Sequence, residues 1–453
     1  MRKYLQLLHE KIGDFWWYSA LVFVATRVGD LIQAFIGLWL VPKYVPQSEL
    51  GATLPIVQAA STLGIPLSIL VIPFARWLTI YSSRGELGKV KRLLKIAFLF
   101  AGVAFLVTMV FARLLLPAFF ERARIEEGSL GLLILAAGIA TPFSGVFVNA
   151  LQGLKRFNAL AVLQSVFAPI RLVVMLVAMP FRAISGYMLG QIATPVTNII
   201  GACIALQKDL SHEVKSVPLG RSDIMDMLRY SMPVVVYMTI GIVMGSWQSL
   251  LFRQRLPEIE SAGYYMISRL AETATYAGAA LVSVMTPIIA ETKARGLSEK
   301  GLLTKLFAGT LLPGVALTLF FLFFGDWVLG LVAVWRDYVG YSNLMTILTL
   351  RTCLLMTASV FFTYEISAGR FRFLLYWLPF TLLDTGGLVA LTGYGAFYGI
   401  LPDGVVDWMA SLRAARLSFF IYWLLGVTTL QAIVIGIHLL LRHRCATRKG
   451  GAR

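Results

Sequence analysis

The chain has 453 residues, of which 58% are hydrophobic and only 14% are charged. A soluble domain carries nearer ~25% charged residues. This composition therefore excludes an ordinary soluble protein and indicates a chain that crosses a membrane many times. Three cysteines and four histidines are scattered along the sequence. They match neither a disulfide framework nor the spacing of a metal site, so we expect no cofactor.

Twelve apolar segments are long enough to cross a bilayer as helices, because about 20 residues rising ~1.5 Å each span a ~30 Å hydrocarbon core. These segments are residues 16–41, 52–75, 96–116, 130–151, 159–179, 186–206, 231–252, 264–290, 307–325, 343–363, 374–393 and 415–441. A polar amphipathic leader, residues 1–15, precedes them, and we expect no cleavable signal there. The sequence predicts an all-α polytopic membrane protein.

The connections between these segments alternate in charge. Residues 76–95, 152–158 and 207–230 lie in the set that carries most of the Lys and Arg, while the intervening connections carry few. Basic connections remain in the cytoplasm. We therefore expect a multi-pass protein of the cytoplasmic (inner) membrane with both termini in the cytoplasm. The net charge of +17 then follows from topology and from contact with anionic headgroups, without a nucleic-acid partner.

The two halves of the chain carry similar motifs in the same order. The matched pairs are QSELGA (47–52) with EIESAGYY (258–265), RGELGKVKRLLK (84–95) with RGLSEKGLLTK (295–305), and QGLKRF (152–157) with AGRFRF (368–373). Because six spans return the chain to the same side, the halves should be parallel repeats related by a pseudo-two-fold axis along the membrane normal.

This pattern predicts five parts of the chain. They are a cytoplasmic leader (1–15), an N-terminal six-helix lobe (16–206), a cytoplasmic linker (207–230), a C-terminal six-helix lobe (231–441) and a basic cytoplasmic tail (442–453).

Ionisable residues near the middle of the spans are the candidate functional residues, because a charge at the bilayer centre costs at least ~2.5 kcal/mol. Such side chains must face other helices or water. Arg27 and Asp30 share one face of the first span. They form either an internal pair that braces two helices or part of a polar translocation path.

The eighth span presents a second polar face, whose Arg269 and Glu272 allow the same two interpretations. We expect the arginines within the spans to face one central cavity. The full set of candidate substrate-binding residues is Arg27, Asp30, Arg171, Tyr265, Arg269, Glu272, Tyr276, Arg351 and Asp384. We predict no catalytic and no metal-ligating residue.

The twelve-span pattern, the acidic turn before spans two and eight, the basic loop after each of them and the QGLKRF turn together resemble a known family. They are similar to the polysaccharide repeat-unit (O-antigen and exopolysaccharide) flippases of the multidrug/oligosaccharidyl-lipid/polysaccharide (MOP) transporter superfamily. The stretch ALQGLKRFNALAVLQSVFAPIRLVVMLV, residues 150–177, is the most typical. Related lipid II flippases usually have fourteen spans, for which this chain has no room.

The resemblance implies a V-shaped pair of six-helix lobes around a central cavity that opens alternately to the two leaflets. It implies a transporter and not an enzyme, with an oligosaccharide carried on a polyprenyl pyrophosphate as substrate. Glycosyltransferases and a polysaccharide polymerase are the implied partners. Arginine suits this substrate, because it remains charged at depth and binds phosphate through two parallel hydrogen bonds.

Two other functions remain open at this point. In a cation-coupled drug exporter of the same fold, Asp30 and Asp384 would be ion sites. In a membrane glycosyltransferase or sugar polymerase, carboxylates of a large outside loop would be catalytic. The longest outside loop here, residues 394–414, offers Asp403 and Asp407, which are also consistent with ordinary surface residues.

Overall fold

The computed structural model describes residues 14–68, 71–125, 130–154, 156–207, 215–276, 289, 302–392 and 417–450. All regular secondary structure in these ranges is helical. The predicted leader lies almost entirely outside them, and the loop with Asp403 and Asp407 lies outside them completely. The prediction of an all-α chain is confirmed.

We number the long helices α1 to α12 in chain order. They are α1 (Asp14–Phe35, extended by the π-helical turn Ile36–Leu40 and by Val41–Tyr44), α2 (Thr53–Leu63, Ile65–Ser68 and Val71–Ser83), α3 (Leu87–Ala123), α4 (Leu130–Gly153), α5 (Phe157–Ala178), α6 (Ala183–Leu206), α7 (Arg221–Arg255), α8 (Glu258–Ala271, extended by the 3₁₀ turn Glu272–Thr275), α9 (Leu302–Leu331), α10 (Ser342–Ser367), α11 (Leu374–Thr392) and α12 (Leu417–Gly450). A short helix, Gln47–Leu50, precedes α2, and a 3₁₀ helix, Ala333–Tyr341, precedes α10.

Nine helices within the described ranges are long and apolar enough to cross a bilayer. These are all the numbered helices except α2, α8 and α11, whose described pieces are shorter than the other nine. The chain is therefore a multi-pass membrane protein.

Two helices extend well beyond the spans predicted from hydropathy. Helix α3 has 37 residues and α7 has 35, whereas the sequence predicts spans 96–116 and 231–252. The additional turns carry charged residues, which a hydropathy window excludes although the helix continues through them. Helix α7 begins at Arg221, inside the predicted linker. Its first turn is capped, because the backbone N–H of Gly220 donates to the Asp223 carboxylate at 3.1 Å.

The π-helical turn of α1 is the place where α8 comes close to α1. A side-chain carbon on Gly37 would lie only 3.4 Å from Cδ of Arg269, so the glycine permits this approach. The Tyr265 hydroxyl donates a hydrogen bond to the carbonyl of Gly37 at 3.2 Å. Such widened turns inside α-helices are frequent at functional sites, which directs attention to the residues around this contact.

The largest hydrophobic cluster joins the two halves of the chain. It contains Leu38 and Leu50 from the first half and Phe252 and Tyr265 from the second. The helix Gln47–Leu50 packs against α8. The motif-matched segments 47–52 and 258–265 therefore lie against each other, as equivalent segments do near a two-fold axis.

The chain reverses after α4 and α10 with the same hydrogen-bond pattern. The backbone N–H of Arg156 donates to the carbonyl of Leu151, and that of Arg370 donates to the carbonyl of Glu365, each at 2.8 Å. A hydrogen bond between residues five apart ends helices in which the residue before the donor has a left-handed backbone. Gly369, with φ of +67°, is that residue after α10. The sequence match of 152–157 with 368–373 does not align Arg156 with Arg370, whereas the hydrogen bonds make these two residues equivalent. The two comparisons therefore differ slightly in register. The duplication as a whole stays a prediction.

Candidate functional site

A cluster of charged and aromatic side chains lies between α1, α5, α6 and α8. On α8, Nη1 of Arg269 lies 2.7 Å from Oε2 of Glu272. The Arg269 guanidinium also faces the ring of Tyr265, with Cζ 5.3 Å from the ring centroid. Tyr265 itself is fully buried and hydrogen-bonded to α1, so its ring packs at the helix interface and does not line open space.

The charged pair on α1 is bonded to the end of α8. Arg27 Nη2 lies 2.6 Å from Oδ2 of Asp30, and it donates to the backbone carbonyl of Tyr276 at 2.7 Å. The Arg27 guanidinium lies 5.7 Å from the centroid of the Tyr276 ring. The side chains of Arg27 and Asp30 are each about one quarter exposed. The pair thus links α1 to α8 and still borders open space.

Arg171 on α5 is the unusual member of the cluster. It is only 7% exposed, yet it forms no hydrogen bond or ion pair with any residue in the described ranges, and its Nε is buried without a partner. It lies within electrostatic range of Arg269, Tyr187 and Tyr276. Burying an unpaired charge is costly. Two arginines from opposite halves of the chain therefore lie near each other, and only Arg269 has a carboxylate partner, Glu272.

The charge balance of the cluster is positive. Arg27 is neutralised by Asp30, and Arg269 by Glu272, which leaves the charge of Arg171 in excess. A cluster of this kind attracts an anion, and guanidinium groups are suited to planar, two-point binding of phosphate oxygens.

Sequence reasoning did not select Tyr187, which the structure places in the same cluster. Tyr187 on α6 is 2% exposed and lies within electrostatic range of Arg171, Tyr265 and Arg269. Its position on the helix was an available signal. Four and eleven residues later Gln191 and Asn198 continue the same helical face.

The pair Arg351 and Asp384 occupies a different cavity, of about 430 Å³, between α7, α10, α11 and α12. Arg351 is 8% exposed, and its Nη2 donates to Oδ2 of Asp384 at 3.1 Å. The structure therefore does not place all four arginines in one cavity. Arg27, Arg171 and Arg269 converge, whereas Arg351 is held within the C-terminal half by a carboxylate on the neighbouring helix.

A further cavity of about 290 Å³ lies in the N-terminal half. Its lining from α2, α4 and α6 is mostly apolar but includes the polar side chains of Gln58, Ser61, Thr141 and Gln191, and Ile242 of α7 closes one side. In the described part of the chain, no group of three or more His, Cys, Asp or Glu residues is arranged to hold a metal ion.

Comparison with solved structures identifies this helix arrangement. The chain superposes on a MATE transporter in the straight conformation with a TM-score of 0.66 at 14% identity, covering 98% of this chain and 99% of that one. It superposes on the Vibrio cholerae MATE transporter VcmN in the bent form with a TM-score of 0.62 at 14% identity, covering 98% of each chain.

The chain has the MATE transporter fold. It also matches the inward-facing conformation of a multidrug resistance MATE family transporter of the MOP superfamily, with a TM-score of 0.61 at 12% identity over 95% of this chain and 96% of that one. The MATE fold confirms the predicted architecture of about twelve helices in two lobes. No protein-family model matches the sequence, and no curated protein sequence matches it.

Proposed function

We propose that this protein flips a polyprenyl-pyrophosphate-linked oligosaccharide from the cytoplasmic to the outer leaflet, by alternating access, for the synthesis of a cell-surface polysaccharide. The observation that carries the proposal is Arg171, a buried arginine without a counter-charge in the described ranges, placed near Arg269 of the other lobe. A pyrophosphate supplies the negative charge that this site lacks.

The site also suggests how binding and movement are connected. Arg171 belongs to the N-terminal lobe and Arg269 to the C-terminal lobe. An anion that contacts both guanidinium groups binds best when the lobes are close, so it shifts the population toward that state. The hydrocarbon tail can stay in the lipid while the head group crosses between the lobes.

Hydrogen bonds join the lobes at the end of the molecule that the loop charges assign to the outside. The amide of Gln47 donates to the hydroxyl of Tyr338 at 3.3 Å, and the indole N–H of Trp335 donates to the carbonyl of Leu38. Together with the bond from Tyr265 to Gly37, these contacts must break before the lobes separate there. They form the outer gate of the proposed cycle.

The proposal is tested with purified protein in vesicles that contain a fluorescent polyprenyl-pyrophosphate-linked oligosaccharide. Arg171→Ala should lose about tenfold or more of the flipping rate, since a hydrogen bond to a charged group contributes ~1.5–3 kcal/mol. Arg171→Lys should retain part of the rate, because a point charge replaces a planar fork. The control is Arg113→Ala, which removes an exposed arginine of α3. Full flipping by a folded Arg171→Ala protein would refute the proposal.

The cavity around Asp384 supports a second candidate, a cation-coupled exporter of small molecules. Its walls include the aromatic side chains of Tyr237, Phe362 and Trp377, which suit a hydrophobic cation. Export of ethidium that disappears in Asp384→Asn, in a protein that does not flip the lipid-linked oligosaccharide, would establish the exporter instead.

The orientation proposed from the loop charges needs its own test. A reporter that is active only outside the cytoplasm should be active after Glu258 and silent after Arg84 or Lys215. Activity at the latter two positions would reverse the assignment of both termini to the cytoplasm. Glycosyltransferases and a polymerase remain the proposed partners.

A further inference from the structure

An apolar groove of about 200 Å³ opens between α3 and α7, with α2 as its floor. Leu115 and Phe119 of α3 form one wall, Leu250 of α7 forms the other, and Pro55 and Ala59 lie beneath. The two walls belong to different lobes, because α3 lies in the N-terminal half and α7 begins the C-terminal half. The groove is thus an open seam between the lobes.

One end of the groove is cationic. Arg122 of α3 lines it there, is exposed, and forms no ion pair or hydrogen bond with any residue of the described ranges. Between Leu115 and Arg122 the helix rises about 10 Å. By the loop charges, this is the end of α3 that reaches the outer interface. An apolar channel with one cation at its interfacial end matches a chain with an anionic head.

A thin polar contact separates this groove from the cavity of about 290 Å³ in the N-terminal lobe. Ser246 Oγ of α7 lies 2.6 Å from Thr62 Oγ and 3.1 Å from the carbonyl of Gln58 on α2. Thr62 and Ser246 face the groove, whereas Gln58 lines the cavity of about 290 Å³. Separation of α2 from α7 at this contact would join the two spaces.

We propose that the groove binds the isoprene units nearest the phosphate of the polyprenyl chain, with Arg122 at the phosphate, when the lipid stands in the outer leaflet. This inference rests on the proposed function and adds a site for the lipid after it has crossed. A single channel with a single cation fits a one-chain phosphate lipid better than a two-chain phospholipid. The cavity behind the Thr62–Ser246 contact, where Gln58, Ser61 and Gln191 offer hydrogen-bonding groups, is the space from which the glycan would leave.

The test uses the full-length protein in detergent and a polyprenyl phosphate with a diazirine in the isoprene unit next to the phosphate. After illumination, adducts should map to residues 115–122 and 247–254, and unlabelled polyprenyl phosphate should compete. Arg122→Ala should require about tenfold more probe for the same labelling, whereas Arg113→Ala should not differ from the unchanged protein.

A groove-filling variant provides a second, charge-independent measurement. Ala118 is exposed and lines the groove, so Ala118→Trp should prevent labelling while the protein still folds. The matched control is Leu114→Trp, at a side chain of the same helix that is 70% exposed and outside the groove lining. Unchanged melting temperatures would show that both variants are folded.

The outcomes separate this inference from the proposed function. Equal competition by phosphatidylglycerol would overturn it, because the groove would then be a general lipid site. Adducts elsewhere, or labelling unaffected by Ala118→Trp, would also overturn it. If the protein does not flip the lipid-linked oligosaccharide but groove labelling persists, the proposed function fails alone. Arg171→Ala should slow flipping about tenfold or more and leave groove labelling unchanged.

Discussion

The two lobes each bury one arginine near the middle of a helix, and the two differ in their partners. Arg171 on α5 and Arg351 on α10 are almost equally buried, at 7% and 8% exposed. Arg351 donates to Asp384 at 3.1 Å. Arg171 has no carboxylate partner in the described ranges and lies near a second arginine instead. From equal burial with unequal pairing, we propose that the C-terminal arginine stabilises its lobe, whereas the N-terminal one is available to a ligand.

The largest effect is expected from breaking the ion pair of Arg351 and Asp384. Arg351→Met leaves the largely buried Asp384 carboxylate without its counter-charge, and such a loss typically lowers the free energy of unfolding by ~3–5 kcal/mol. Thermal unfolding of the purified protein in detergent measures it. Adding Asp384→Leu should recover most of the loss, because no lone charge then remains. A double variant as unstable as the single one would show that the pair is not coupled.

Replacing the unpaired Arg171 should change the free energy of unfolding in the opposite direction. Arg171→Met removes a buried charge that has no partner to leave behind, so we expect the free energy of unfolding to rise by ~1–2 kcal/mol, as when apolar residues replace buried ions. The same thermal unfolding assay checks this. A fall as large as that of Arg351→Met would contradict the comparison, since it would mean that Arg171 is structurally paired.

The pair of Arg269 and Glu272 on α8 is intermediate between these two cases, because its arginine has a partner but the partner is exposed. The Arg269 side chain is 11% exposed, but that of Glu272 is 42% exposed, so solvent screens their attraction. Glu272→Gln should therefore lower the free energy of unfolding by only about 1 kcal/mol or less. Arg269→Ala combined with Glu272→Ala should be stable but inactive in flipping. Normal flipping by that double variant would mean that the pair only stabilises α8 and does not bind the substrate.

Much of this arrangement was readable from the sequence, because hydropathy and helical spacing depend on neighbouring residues alone. The spans, the position of Arg27 beside Asp30, and the face shared by Arg269 and Glu272 are properties of single helices. The pairing of Arg351 with Asp384 joins two helices, and its register depends on how α10 and α11 pack. The same limit applies to Arg171, whose lack of a partner is a property of the assembled lobes.

The helix ends and Tyr187 were missed for other reasons. Charged turns extend α3 and α7 past the apolar window, so composition could not mark where they end. Because Tyr187 is aromatic, a hydropathy analysis treats it as a hydrophobic packing residue. It nevertheless shares one face of α6 with the polar residues Gln191 and Asn198. Reading polar faces across a whole helix, and not only its charges, would have found it.

The smallest effect concerns an ion-pair cluster outside the predicted spans, where α3 meets the first turn of α7. Lys89 Nζ lies 2.9 Å from Glu86 Oε2 and 3.2 Å from Asp223 Oδ2. Burial alone would raise the pKa of Asp223, but the hydrogen bond from the Gly220 N–H and the interaction with Lys89 lower that pKa overall. Unlike the pair of Arg351 and Asp384, this cluster is partly exposed to solvent, and the side chain of Asp223 is 22% exposed.

The sign of its pH dependence follows from the lowered pKa. The unfolded chain binds a proton at Asp223 near the ordinary Asp pKa of about 3.9, and the folded chain binds it only at lower pH. The carboxylate therefore stabilises the fold above that value, and the stabilisation is lost as the pH falls through the folded pKa. Asp223→Asn should lower the melting temperature slightly at pH 7, and the difference should shrink as the pH falls below the ordinary Asp pKa of about 3.9. The control is Asp226→Asn, on the same exposed turns of α7, which should leave the melting temperature at pH 7 unchanged. A deficit of Asp223→Asn that does not shrink as the pH falls would mean that the amide disturbs the helix cap, and that the charge of Asp223 does not stabilise the fold.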